Sequence, residues 1–242
     1  MLAVLLVVLA AGYGAGAGAL LPRAAYRLSV AADEPWRDRC PQEHPLRGWA
    51  GPAACTECGG DPYGPGTLLP AAATAVACAA LAGAAGAEPE TAVWLLLAPF
   101  GVLLFAVDRA VRRLPDVLTL PLAGAAVVLL GGAALVGGAG SWTRALLGGI
   151  TLGAVYFLLF FVNPAAMGFG DVKLALVLGV ALGWYGWDVL FTGSFFGLLL
   201  GAGYAVTLLA ARRVGRKTGI AFGPFMIVGA FAGLVVGGLA AG

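Results

Sequence analysis

The apolar stretch Gly101-Val-Leu-Leu-Phe-Ala-Val-Asp108 ends on an aspartate, and arginines follow at once. Similar apolar runs recur along the chain, and 61% of its 242 residues belong to the set AVILMFWYC. With the 39 glycines this share reaches roughly three quarters, whereas soluble domains hold about 45–50%. Only 11% of the residues are charged, which is too little polar surface to face water on all sides. Composition therefore excludes a disordered chain, a disulfide scaffold and almost any soluble enzyme, and it predicts an all-α polytopic membrane protein.

The apolar runs predict about eight transmembrane helices. A helix needs about 20 mostly apolar residues to cross the hydrocarbon core. The sixth run is short, and the cluster Trp184-Tyr185-Gly186-Trp187 that ends it is typical of an interfacial aromatic turn. Ala/Gly-rich spans, such as 71–86 and 124–140, suit close helix packing in lipid. The predicted spans are 2–21, 67–86, 92–107, 117–137, 144–162, 172–187, 188–210 and 220–241.

The basic residues predict the orientation of these helices. No Lys or Arg precedes the first apolar run, so we interpret it as a span with its N-terminus outside and not as a signal peptide. All Lys and Arg residues except Arg144 then fall on one side, which the positive-inside rule makes cytoplasmic. We expect a multi-pass protein of the plasma or inner membrane, with the bilayer as a partner. The net charge of +2 gives no indication of a nucleic-acid partner. The residues on the basic side are Arg23, Arg27, Arg37, Arg39, Arg47, Arg109, Arg112, Arg113, Lys173, Arg212, Arg213, Arg216 and Lys217.

One loop is far longer than the others. Residues 22–66 hold six acids, five arginines, the single histidine and three cysteines, and loops of this length usually have a role. We predict three parts: helix 1 (1–21), a cytoplasmic insertion (22–66) and a membrane core (67–242).

The insertion carries a candidate metal site. Cys40, His44, Cys55 and Cys58 offer four soft ligands suited to tetrahedral zinc. The alternative is a degenerate loop with reduced thiols and a solvated histidine. The fourth cysteine, Cys78, lies in an apolar span and is expected to serve packing.

Two acids stand apart from the solvated ones. Asp108 and Asp171 each lie at the predicted cytoplasmic end of a span, and a carboxylate at membrane depth is costly unless it is paired, protonated or hydrated. If the helices bring them together, they can share one proton, as in an aspartic protease. Gly168 and Gly170 would allow close approach of a substrate strand or positive φ. The alternative is that both acids are interfacial helix ends balanced by neighbouring basic residues.

The residues around these acids resemble a known family. The segment Val107–Pro121 is similar to the first aspartate motif of the type IV prepilin leader peptidases, which are GxGD membrane aspartyl proteases. Met167–Leu174 resembles their second motif, and Ile220–Phe225 resembles a further family segment, all in family order. The resemblance implies that Asp108 and Asp171 are the catalytic pair of an endopeptidase that needs no cofactor. Such enzymes remove the short basic leader of prepilins or pseudopilins on the cytoplasmic side.

Two further residues have competing interpretations. Asp116 could take the first catalytic role instead of Asp108, or it could cap the span that begins at Val117. Lys173 could orient Asp171, or it could anchor its helix at the headgroups. Arg109, Arg112 and Arg113 are interpreted as topology determinants.

Long members of the family carry two CxxC pairs in a cytoplasmic insertion, within a domain associated with N-methylation of the mature pilin by S-adenosylmethionine. This chain departs from that pattern, because it has one clear CxxC and Glu43 stands where a further cysteine would be expected. The resemblance therefore leaves the methyltransferase activity, and with it S-adenosylmethionine, undecided.

Two other functions compete with the leader peptidase. A small transporter with aspartate proton relays would need midplane acids or broken helices in two related halves, and the sequence offers neither. A presenilin-like protease would use the same chemistry inside a transmembrane helix. The Leu-Pro-Asp116 turn and the acids at the membrane edge favour the pilin-type enzyme.

Overall fold

The computed structural model describes residues 1–31, 34–164, 167–211 and 221–242. The part of the chain that it describes contains nine helices and one small two-stranded antiparallel sheet. The helices are α1 (Leu2–Ala19), α2 (Leu21–Leu28), α3 (Leu68–Ala85), α4 (Pro89–Val111), α5 (Asp116–Leu135), α6 (Trp142–Val162), α7 (Phe169–Tyr185), α8 (Trp187–Ala210) and α9 (Gly223–Ala241). The strands are β1 (Ala54–Cys55) and β2 (Asp61–Pro62).

The predicted all-α polytopic membrane fold is confirmed. Among the described residues, seven helices are long and apolar enough to cross a bilayer: α1, α3, α4, α5, α6, α8 and α9. The sixth predicted span, 172–187, corresponds to α7, whose 17 residues extend for about 26 Å. The prediction for the last span began at Ile220, and the basic residues Arg212, Arg213, Arg216 and Lys217 precede it; all five lie outside the described residues.

Glycines let several helix pairs approach backbone to backbone. A Cβ placed on Gly148 of α6 would lie 2.5 Å from the carbonyl oxygen of Gly179 in α7, and the reverse contact is equally short. A Cβ on Gly14 of α1 would likewise lie 2.5 Å from a backbone oxygen of α3. In the predicted packing span 124–140, a Cβ on Gly124 or Gly132 would meet no atom of the described residues within 4 Å, whereas one on Gly131 would lie 3.0 Å from the Trp142 ring nitrogen.

The turn between α7 and α8 lies within the predicted aromatic cluster, but one of its tryptophans is buried. Gly186 alone connects the two helices, with φ of 136°, a conformation that favours glycine. Trp184 faces neither lipid nor water, because it is completely buried in the protein. Its ring packs against the turn after α5, where a Cβ on Gly138 would lie 2.9 Å from a Trp184 ring atom.

The segment between α1 and α3 is held against the membrane core. Its helix α2 packs Ala25 and Leu28 against Leu103 and Val107 of α4. The strands β1 and β2 follow, and an isolated bridge pairs Arg39 with Pro45. This segment therefore contacts the same end of α4 that carries Asp108. Cys78 is fully buried beside Ala10 and Ala82, so its packing role is confirmed.

Candidate active site and metal-binding cluster

Asp108 and Asp171 line a single cavity of about 280 Å³ at one end of the helix bundle. They come from different helices, α4 and α7, and 63 residues of sequence separate them. Both side chains are nearly closed off from solvent, with 3% and 7% of their residue surface exposed. The other lining residues are Arg112, Arg113, Leu114, Asp116, Gly168, Phe169, Gly170, Ala221 and Phe222.

Asp108 occupies the last turn of α4. The helix ends at Arg112, which adopts the left-handed conformation (φ 53°, ψ 41°) and donates its backbone N–H to the Asp108 carbonyl at 2.7 Å. The side-chain oxygen Oδ2 is buried and has no hydrogen bond of good geometry to the described residues, although the carboxyl group lies close to the Gly223 backbone. A buried carboxylate oxygen without a partner is costly, so this atom is available for a water molecule or a substrate.

Asp171 lies in the first turn of α7. Its Oδ2 accepts a hydrogen bond from the Gly168 N–H at 3.2 Å, and its own N–H donates to the Gly168 carbonyl at 3.0 Å. The carboxylate therefore caps its own helix, where the helix dipole favours negative charge. This local bond fixes the side chain in the cavity wall.

Neither motif glycine has positive φ, and only Gly170 makes a close approach to another element. Gly168 has φ of −76°, and Gly170 lies inside α7; neither is among the described residues with positive φ. A Cβ on Gly170 would lie 3.1 Å from the Leu114 Cβ, so this position lets α7 approach the turn before α5. The expectation of positive φ around Asp171 was wrong.

Asp116 and Lys173 form an ion pair at the mouth of the cavity. The Lys173 Nζ lies 2.6 Å from Asp116 Oδ1, and 17% of the lysine side chain is exposed against 62% of the aspartate. Lys173 also lies over the Phe169 ring, at 4.9 Å from its centroid. Asp116 is the first residue of α5, follows the N-cap Pro115 and makes no capping bond. The predicted cap of a helix beginning at Val117 was therefore wrong.

The sequence interpretation gave no separate role to the start of α9. A Cβ on Gly223, its first residue, would lie 2.7 Å from Asp108 Oδ2. Phe222, which precedes it, lines the cavity and stacks near Tyr156, with ring centroids 6.3 Å apart. The segment Ile220–Phe225 carried the only signal for these contacts, because spacing cannot bring α9 next to α4.

Cys40, His44, Cys55 and Cys58 converge as predicted, and their ligand atoms all lie within 4.8 Å of one another. Zinc at about 2.3 Å from sulfur and about 2.0 Å from nitrogen would separate tetrahedral ligands by about 3.5–3.8 Å. The distances from His44 Nδ1 to the sulfurs of Cys40 and Cys55 are 3.6 and 3.7 Å, and that from Cys40 Sγ to Cys58 Sγ is 3.9 Å. Only the separation of His44 Nδ1 from Cys58 Sγ, 3.1 Å, is shorter. The donor set fits a zinc ion.

The electrostatics of this cluster also favour a cation. Burial raises the pKa of the Cys40 thiol, but hydrogen bonds from His44, Gln42 and the neighbouring thiols outweigh it and lower the pKa to about 7. Burial and the other two thiols raise the pKa of Cys58 to about 12. Three adjacent sulfurs cannot all ionise without a positive charge among them. On its other side, His44 Nε2 faces the Glu57 carboxylate at 3.8 Å, which leaves Nδ1 for the metal.

Comparison with known proteins connects this geometry to a family. The sequence model of the Type IV leader peptidase family matches residues 95–206. This part of the chain, a little under half of its length, is similar to that family. No solved structure matches the chain.

Several curated relatives of this leader peptidase family are called prepilin leader peptidase/N-methyltransferase. The one from Pseudomonas aeruginosa is 30% identical over 145 residues, which cover 59% of this chain and 49% of that protein. The one from Aeromonas salmonicida is 33% identical over 146 residues, 59% of this chain and 48% of that protein. The one from Klebsiella pneumoniae is 34% identical over 151 residues, 62% of this chain and 64% of that protein. The chain thus spans about half the length of the first two relatives.

The region matched by the leader peptidase family contains both buried acids and the ion pair at the cavity mouth. Gly223 and the Cys/His cluster lie outside it. The family match therefore covers most of the acid site, whereas the Cys/His cluster and the start of α9 are supported by the geometry of this chain.

Proposed function

We propose that this chain is a membrane-embedded aspartic endopeptidase that removes the leader of type IV prepilins or pseudopilins. The observation that carries the proposal is the shared cavity of Asp108 and Asp171, two acids that the family motifs single out from distant parts of the sequence. Asp116 is the weaker candidate for the first role, because it is exposed and paired with Lys173. The names of the relatives support the substrate class.

The two acids suit a water attack on the leader's peptide bond. One carboxylate removes a proton from water while the water oxygen bonds to the scissile carbonyl carbon, and the other, protonated acid protonates the carbonyl oxygen. The tetrahedral intermediate then returns the proton to the acid, the nitrogen takes the proton gained from water, and the C–N bond breaks. The partnerless Oδ2 of Asp108 suits the contact with the attacking water.

We further propose that the cavity faces the cytoplasm of a plasma or inner membrane. Arg112 and Arg113 line the cavity, and Lys173 lies at its mouth. Arg144, the one exception among the basic residues, lies in the first turn of α6 at the Gly186 end of the bundle, where its Nη1 would lie 3.9 Å from a Cβ on Gly186. The positive-inside rule then assigns the cavity end to the cytoplasmic side.

The direct test is leader cleavage by the full chain in proteoliposomes, with a prepilin of short basic leader as substrate. We expect a mature product whose mass corresponds to a cut between the leader and the apolar helix. A product that also carries one extra methyl group after S-adenosylmethionine is added would reveal the second activity in the relatives' name. An uncut prepilin, or a cut within its transmembrane helix, would contradict the proposed function, and the latter would favour the presenilin-like alternative.

The ion pair at the cavity mouth gives a testable prediction. We expect Lys173→Met and Asp116→Asn each to lower cleavage by about 2–5-fold, equivalent to about 0.5–1 kcal/mol, since half-exposed pairs contribute modestly. The double variant should be no worse than the single ones, because each substitution breaks the same bond. The measurement is kcat/KM for all three variants. If the loss in the double variant equalled the product of the two single losses, the two residues would not act as a pair.

We also propose that residues 22–66 form a small subdomain built around structural zinc. The ligands would be Cys40, His44, Cys55 and Cys58, and the ion would cross-link the loop before β1 to the hairpin. We expect about one zinc ion per chain in the purified protein. Cys55→Ser should lose it, because a thiolate ligand is removed.

Elemental analysis by mass spectrometry measures this zinc content. The matched control is Cys78→Ser, which changes a buried cysteine outside the cluster and should keep the metal. Equal zinc content in both cysteine variants would contradict the proposed ligand set.

A further inference from the structure

The segment between α1 and α3 exposes two tryptophans in one patch. Trp36 and Trp49, which we call the Trp pair, pack edge to face with ring centroids 5.3 Å apart. They are 45% and 41% exposed. The Arg27 guanidinium lies 4.1 Å from the centroid of the Trp49 ring and holds it in place. Paired tryptophans of this kind are characteristic of the membrane–water interface, where an indole can bury its ring and keep its N–H in a polar layer.

Backbone hydrogen bonds place the Trp pair beside the membrane end of α1. The Gly51 N–H donates to the Leu20 carbonyl at 2.8 Å, and the Arg23 N–H donates to the Gly51 carbonyl at 3.0 Å. Leu20 is the first residue after α1. Trp49 is two residues from Gly51, a distance of at most about 7 Å along an extended chain. The headgroup layer on each side of the hydrocarbon core is about 5–8 Å thick, so the Trp49 backbone lies within reach of this layer.

The exposure of neighbouring apolar side chains also indicates that the Trp pair lies at the level of the headgroups. Leu20 is 50% exposed, and Leu68 and Leu69 at the start of α3 are 86% and 80% exposed. These leucines flank the segment at both ends, where α1 leaves and α3 enters the bundle. Exposed leucines at the ends of membrane-spanning helices mark the edge of the hydrocarbon layer. The backbone next to Trp49 is thus hydrogen-bonded to a residue at the exposed apolar end of α1.

The charges around the pair nearly cancel. Arg27 lies on the Trp49 ring, and Arg37 and Arg47 are exposed close to the pair in sequence. The exposed acids Glu34 and Asp38 offset two of these three positive charges. Contact with lipid should therefore depend on burial of the two indole rings and not on attraction to anionic headgroups.

We propose that Trp36 and Trp49 insert into the headgroup layer of the adjacent leaflet and dock this segment on the bilayer surface. The lipid bilayer is the partner, and the contact does not depend on the proposed peptidase activity. Docking would fix the position of α2 relative to the bilayer surface. This helix packs against the end of α4 that carries Asp108. The Trp pair would thereby hold the Cys/His-containing segment beside the mouth of the cavity.

The test is fluorescence quenching of the full chain in phosphatidylcholine proteoliposomes. Subtracting the emission of a Trp36→Phe/Trp49→Phe variant from that of the unaltered chain isolates the pair. We expect this difference signal to be quenched more strongly by a label at the glycerol end of the acyl chains than by one at the methyl end. It should be quenched weakly by aqueous iodide and should not change with salt.

A Trp187→Phe control, in which a tryptophan of α8 is replaced, should leave the difference signal unchanged. Circular dichroism and zinc content of the double variant check that it still folds. Quenching by iodide together with protection from both lipid labels would overturn the proposal, because the rings would then face water. Strongest quenching by the deep label would also overturn it, because the rings would then lie in the hydrocarbon core.

Discussion

Replacement of either Asp108 or Asp171 by asparagine is expected to reduce leader cleavage by about 10²–10⁴-fold. Asparagine keeps the shape of the side chain but cannot carry the proton that the two acids exchange with water and with the peptide. Both side chains are buried in the cavity wall, so no solvated carboxylate can take their place. The measurement is single-turnover cleavage in proteoliposomes, with the fraction of inserted protein determined in the same preparation.

Two matched controls sharpen this result. Asp188→Asn changes an acid in the first turn of α8, away from the residues that line the cavity, and should leave cleavage unchanged. Asp116→Asn removes the competing candidate and should cost only the few-fold effect of its ion pair. If Asp116→Asn were as inactive as Asp171→Asn while Asp108→Asn remained active, the first catalytic role would belong to Asp116.

The approximate ends of the helices could be predicted, because a helix that crosses the bilayer must match its thickness. The helix α6 begins at Trp142 and ends at Val162, against a predicted span of 144–162. The turn at Gly186 was also foreseen. The burial of Trp184 was not, because an aromatic residue at the end of a span suits the interface and the bundle interior equally well. Its position depends on glycines of a different loop, which leave room for the ring.

The acid site was predictable in its residues but not in its contacts. A carboxylate at the end of an apolar run is conspicuous in any sequence, so Asp108 and Asp171 could be named from composition and motif. Their meeting depends on how α4, α7 and α9 pack, which periodicity does not encode. The partner of Lys173 illustrates this limit. The sequence suggested Asp171 or the headgroups, whereas the structure pairs it with Asp116 across the cavity mouth.

The Cys/His cluster was predicted more completely, because its ligands are close in sequence. Cys40 and His44 are four residues apart, and Cys55 and Cys58 are three apart, so short turns suffice to bring each pair together. The additional contact of His44 with Glu57 follows from the hairpin that carries Cys55 and Cys58. Local spacing thus determined a local site, whereas the acid site required the whole helix bundle.

Substitution of Gly223 by alanine is expected to lower kcat for leader cleavage by about 10²-fold, while KM changes little. The new Cβ would lie 2.7 Å from Asp108 Oδ2, closer than any stable contact, so the carboxyl group or the start of α9 must move. A displacement of about 1 Å at a catalytic group costs about this much. The substrate contacts remote from the acids would remain, which is why the loss should appear in kcat.

The matched control for this prediction is Gly203→Ala in α8, where the new Cβ would have no atom of the described residues within 4 Å. It should insert and cleave like the unaltered chain. Steady-state kinetics on both variants, at equal inserted protein, measures the difference. Since Oδ2 of Asp108 is the partnerless oxygen of the cavity, its displacement should also shift the pH profile of the residual activity, a change that a general packing defect would not produce. A Gly223→Ala variant with unaltered kcat and pH profile would mean that α9 only closes the cavity and does not position Asp108.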